Sequence, residues 1–163
     1  SPSSSTGQLI APGTWSSDGN APCAPADPGY FVANAGATSQ LPAPTGHYVH
    51  QSGATSAIAC DPGTYQSLLA QVVCDPAPAG SFVAGSGASF AVPATAGHFA
   101  PNNGMTAALP CPPGYYQDQT GQIECLEAPI DTYVDSPGTA VPTDCPVGTH
   151  TSGTASTDPN DCV

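Results

Sequence analysis

The apolar and polar positions of this chain recur every 17 residues. From Gly29 onward, segments starting at 46, 63, 80, 97, 114, 131 and 148 align without gaps, and a ninth copy, one residue short, starts at Gly13. Gly opens every copy except the one where Asp131 stands. The third position carries a ring in Phe31, Tyr48, Tyr65, Phe82, Phe99, Tyr116 and Tyr133, and His150 replaces it in the last copy. A second Gly recurs at the eighth position (Gly36, Gly53, Gly87, Gly104, Gly121, Gly138), and an aliphatic residue at the thirteenth (Leu41, Ile58, Val92, Leu109, Leu126).

Each copy reads as one small β-hairpin. The opening Gly suits a turn that needs positive φ. Extended residues follow, with the aromatic expected to face inward. Ser-Gly, Asn-Gly, Thr-Gly or Pro-Gly then reverses the chain. The second short strand brings the aliphatic residue back toward the ring, and Pro ends the pairing. One such hairpin buries too little surface to stand alone. A fixed short period marks a repeat architecture, in which stacked copies share a core. The expected fold is therefore all-β with little regular secondary structure: an elongated array of hairpins sharing a ladder of aromatic and aliphatic side chains.

Cysteines add a longer period of 51 residues. Cys23, Cys74 and Cys125 form one series, and Cys60, Cys111 and Cys162 form the other. The chain then divides into a Ser/Thr/Pro-rich segment or linker at 1–12 and repeat trios at 13–62, 63–113 and 114–163. Cys145, three residues before Gly148, recreates the C-x-x-G opening. The economical pairing staples single hairpins as Cys60–Cys74, Cys111–Cys125 and Cys145–Cys162, leaving Cys23 over. Pairing across 37 residues (Cys23–Cys60, Cys74–Cys111, Cys125–Cys162) is the alternative, and it leaves Cys145 over. Seven cysteines at regular spacing without a CxxC pair indicate disulfides in an oxidising compartment. Zinc is the weaker reading, because no His lies near Cys at ligand spacing.

The stretches CDPGTYQSLLAQVVC (60–74) and CPPGYYQDQTGQIEC (111–125) resemble the ephrin-receptor-like cysteine-rich repeat, which is related to modules of tumour necrosis factor receptors and EGF-like proteins. Residues 145–162 resemble it less closely, and the remaining copies keep Gly and the aromatic without the cysteine pair. The resemblance implies an extended, extracellular, disulfide-linked array acting as a spacer or assembly unit, and it brings no catalytic residues.

Composition narrows the partners. The chain has no Lys or Arg, 12 acidic residues and a formal charge of −12. Nucleic acid and anionic membranes are poor partners for such a surface. No apolar run is long enough to span a bilayer, so no direct membrane insertion is expected. With 18 Gly and 20 Pro, long helices and long central strands are disfavoured. The chain opens at Ser1 with neither Met nor a signal-peptide pattern, as a mature or excerpted chain would. The missing cations fit either an excerpted, partly inferred sequence or a surface kept soluble by glycans. With no Asn-x-Ser/Thr sequon present, glycans are expected on oxygen, and Ser3, Ser4, Ser5 and Thr6 form the best tract; an unmodified linker is the plain reading of it.

Candidate chemistry is thin. His47 and His98 fall at the second position of copies 51 residues apart, and His150 takes a ring position, so the repeat itself accounts for them. His47 and His50 could share a metal only if both faced outward, against strand alternation. Asp61, Asp158 and Asp161 could hold calcium weakly, but they lack the spacing of a known loop and suit turns better. No nucleophile-elbow, phosphate-loop or zinc-protease motif occurs. No cofactor, metal or catalytic residue is expected, and Trp15 is the only candidate for an aromatic that marks a binding groove. The favoured reading is an extracellular structural protein that self-associates into a polymer and carries glycans. The alternative is a ligand-binding or adhesive ectodomain fragment of a receptor-like surface protein. Cys23 lacks a partner because its frame equivalent, Ile10, is not a cysteine, and the last copy has no visible cap. These features suggest head-to-tail joining, with residues 1–23 packed on a neighbour's last repeats and Cys23 linked outside its own chain.

Overall fold

The computed structural model describes residues 9–163; Ser3, Ser4, Ser5 and Thr6 lie outside the described residues. These form eight two-stranded antiparallel sheets and one 3-10 turn, Pro159–Asp161. Every strand is two residues long. Two compact units divide the chain: the first runs to Asp75 and includes Ser86–Phe90, and the second comprises Pro76–Gly85 and Ala91–Val163.

The hairpins follow from local chemistry. Asp27-Pro28-Gly29-Tyr30 makes a turn in which the Tyr30 N–H donates to the Asp27 carbonyl at 2.9 Å, with Gly29 at φ 87°. Proline fixes φ at the second turn position and Gly supplies positive φ at the third, as a type II turn requires. The strands then pair as the 17-residue pattern predicts. Position three faces position thirteen in Phe31↔Leu41 and Tyr48↔Ile58 of the first unit, and in Phe82↔Val92, Phe99↔Leu109 and Tyr116↔Leu126 of the second.

These ring–aliphatic pairs are not the core. The rings are half-buried and the aliphatic residues exposed. Buried instead are positions four and fifteen: Ala26, Val32, Ala43, Val49, Cys60 and Gln66 in the first unit, and Ala77, Val83, Ala94, Ala100, Cys111, Gln117, Ala128 and Val134 in the second. Hydrogen bonds between copies explain the inversion. In the first unit Gly29 N–H donates to Val49 O (2.7 Å) and Val32 N–H to Ala54 O (2.9 Å), each in the next copy. Gly53 N–H reaches Ala26 O, two copies back, at 2.8 Å. The second unit repeats the scheme with Gly97 to Gln117, Ala100 to Gln122 and Gly121 to Ala94. Backbones this close leave room between them for Ala, Val, a half-cystine or a Gln that bonds back into its own hairpin. Alternation along the strand sends the ring at position three to the opposite face from position four.

The opening Gly is required twice over. Besides its positive φ, a Cβ on Gly46 would overlap the carbonyl of Gly87, and one on Gly97 that of Gly138, each two copies on. The eighth position keeps positive φ even where Gly is missing: Ala70 (57°) and Ala155 (58°) adopt it, as does Asp131 (69°) at a first position.

The last copy departs from the frame of the others in its polar contacts. Asp131 N–H donates to the Thr151 hydroxyl (2.8 Å) instead of a backbone carbonyl, and His150 and Val163 exchange backbone bonds at 3.0 Å. Asp158 and Asp161 form a capping box around the terminal turn.

Candidate functional site

Six cysteines staple three hairpins: Cys60–Cys74, Cys111–Cys125 and Cys145–Cys162 are bonded, and Cys23 is a half-buried free thiol. Within the first two staples, position four is Gln instead of Val or Ala. Gln66 Nε2 donates to Val73 O at 2.9 Å while its Oε1 accepts from Leu68 N–H at 3.0 Å. Gln117 does the same with Glu124 O (2.9 Å) and Gln119 N–H (3.1 Å). Both amides are buried and satisfied at both ends, so they hold the stapled loops from inside.

The histidines do not converge. His47 and His98 are half-buried, with Nδ1 near the carbonyls of Thr45 (3.2 Å) and Ala96 (3.4 Å). His50 is exposed, its ring centroid 5.8 Å from that of Tyr48. His150 Nδ1 lies 3.1 Å from Asp131 Oδ1 on the surface. Asp61 accepts the Thr64 hydroxyl at its carbonyl (2.7 Å), a turn contact, and Asp158 and Asp161 serve the terminal cap. At Asp18 the Ser16 hydroxyl, then the Asn20 N–H, hold the carboxyl below its usual value. Among the described residues, no group of three or more His, Cys, Asp or Glu could hold a metal ion. Trp15 is half-buried opposite Ala24, and its buried Nε1 has no partner. No helix among the described residues is long and apolar enough to cross a membrane.

Two grooves in the first unit stand at equivalent places in the frame. One, of about 190 Å³, is lined by Tyr48, Asp61, Thr64, Val73 and Cys74. The other, of about 360 Å³, is lined by Leu9, Ala11, Thr14, Ala21, Pro22 and Cys23. Ala11, Thr14, Pro22 and Cys23 correspond to Asp61, Thr64, Val73 and Cys74. Tyr48, from the copy before, belongs to the lining of the smaller groove. The sequence marks the larger groove only faintly, through the unmatched Cys23 and the one-residue shortening of the first copy.

The surface beside the Cys60–Cys74 staple is unlike its counterpart. Residues 67–73 present Leu68, Leu69, Val72 and Val73, all exposed, where 118–124 carry Asp118, Gln119, Ile123 and Glu124. The frame is kept and the loop contents differ, as expected where the staple and internal Gln define the backbone and the outward side chains are free to vary.

No curated protein matches the chain. A family match is confined to the second unit and takes in Cys111, Cys125 and Cys145. Residues 97–145 match the family described as tyrosine-protein kinase ephrin type A/B receptor-like, and this stretch carries an ephrin-receptor-like cysteine-rich repeat.

Proposed function

We propose that the chain is an extracellular structural repeat protein, a non-catalytic building block of a surface filament, appendage or matrix, joined head to tail and O-glycosylated. The observation that carries this reading is what occupies the interior. The repeated buried positions hold Ala, Val, bonded Cys and hydrogen-bonded Gln, and all of them serve the joining of one copy to the next. Such an interior makes a spacer; it leaves no buried acid, base or nucleophile in position for chemistry. Disulfides together with the ephrin-receptor-like match favour an oxidising, extracellular setting. A surface without cations favours a chain shielded by neutral glycans and indifferent to nucleic acid. Glycans on Ser3, Ser4, Ser5 and Thr6 are the matching modification.

Sedimentation velocity of the oxidised chain over a range of concentrations tests the reading. The expected result is mass that grows with concentration; a single 16.1 kDa species throughout would refute it. The second reading, a ligand-binding ectodomain fragment, draws on the receptor-like family match and would be favoured by that monomer.

A further inference from the structure

We infer that Asn103-Gly104 is a self-modifying site: it converts to isoaspartate when the contact between copies opens, and the product then keeps that contact from re-forming. Of the five asparagines, only Asn103 is followed by Gly. In an Asn-Gly pair the Gly nitrogen can attack the Asn amide carbon with no side chain in the way, so ring closure is least hindered there. The bond from that carbon to the amide nitrogen breaks, the Gly N–H proton goes to the leaving ammonia, and a cyclic succinimide remains. Water then opens the ring at either carbonyl. One opening gives Asp. The other gives isoaspartate, whose backbone runs through the former side chain and is longer by a methylene.

The fold holds both reacting groups. Gly104 N–H, whose proton must leave, donates to Ala77 O at 2.8 Å. Asn103 Oδ1 accepts from Ala79 N–H at 2.9 Å, which fixes the amide on the earlier copy. Beside them Met105 O accepts from Val83 N–H at 2.9 Å. All of these residues belong to the second unit. Asn103 and Gly104 are nonetheless exposed, so water reaches them as soon as the bonds part. The reaction therefore runs from the opened state, and its rate follows the population of that state. Its product alters the contact. The added methylene moves Gly104 N–H away from Ala77 O, and a new carboxylate joins a chain that has 12 and no cation. Ser86 and Thr120 precede the same Gly in other copies, where Gly87 N–H still donates to Cys60 O (2.8 Å) and Gly121 N–H to Ala94 O (2.7 Å). The frame thus keeps its bond without Asn, and the reactive pair is a feature of this copy.

Peptide mapping by mass spectrometry, on the full oxidised chain at mildly alkaline pH with and without denaturant, follows conversion at each Asn. Asn103 is expected to convert first of the five in denaturant, and about tenfold or more slowly in the folded chain. Amide hydrogen exchange is then compared between the native chain and the separated isoaspartyl chain. Exchange at Gly104 and Val83 is expected to be about tenfold or more faster after conversion. Freshly prepared Asn103→Asp, which adds the charge without lengthening the backbone, is expected to keep native protection at both amides. Asn103→Ser, the residue found at 86, is expected to keep it too and to show no conversion. Equal rates in folded and unfolded chains would overturn the gating, and an unfolded chain in which Asn103 stays intact would overturn the site. Native protection at Gly104 after conversion would overturn the uncoupling. Protection lost in Asn103→Asp would assign the effect to charge and overturn the part given to the longer backbone.

Discussion

Gly97 shows how one atom governs the repeat. Its φ of 81° and the carbonyl of Gly138 lying where a Cβ would sit are separate constraints. Gly148 shares the first, at φ 91°, but nothing lies within 4 Å of its missing Cβ. Comparing the two isolates the close approach. Gly148→Ala should cost about 1–2 kcal/mol, the penalty of a left-handed conformation. Gly97→Ala should cost clearly more, since backbone must also move apart, and denaturant unfolding of the two variants measures the difference. Equal losses would mean that the contact between copies is looser than described. The reverse change, Ala70→Gly, relieves a positive φ of 57° and should raise stability by up to about 1 kcal/mol in the same assay.

At the level of the hairpin, staple and amide act together. Cys111 and Cys125 enclose a loop of about 15 residues, for which chain-entropy arguments give about 3 kcal/mol. Cys111→Ala with Cys125→Ala is the frame-compatible removal, because unstapled copies carry Ala at the first of these positions, as in Ala94 and Ala128. Loss of about that amount with folding retained is the expected outcome of equilibrium unfolding. Gln117→Val should cost about 1–3 kcal/mol, because the Glu124 carbonyl and the Gln119 N–H lose a buried partner. Amide exchange at Gln119 should quicken selectively. Hairpins, turn glycines and the opposition of Tyr48 to Ile58 were legible in the sequence, because turn chemistry and spacing are local. Which side faces inward was not. It depends on hydrogen bonds between residues 20 to 27 apart, such as Gly29 to Val49 and Gly53 to Ala26, and these admit Ala43 and Val49 where the large rings had seemed the natural core. The bond from Asp131 N–H to the Thr151 hydroxyl escaped notice because both residues look like ordinary polar drift until the chain folds.

Over the whole molecule, the same division of labour holds. Inward positions are occupied by small residues that tie copies together, while outward positions vary from the apolar loop 67–73 to the acidic loop 118–124. The proposed scaffold draws on this constant interior and on these differentiated surfaces. The central claim is that this chain builds a structure from copies of itself. Electron microscopy of the purified, oxidised chain tests it most directly. The account predicts filaments of uniform width with a regular axial repeat. A field of separate particles, each of one chain's mass at every concentration, would contradict it.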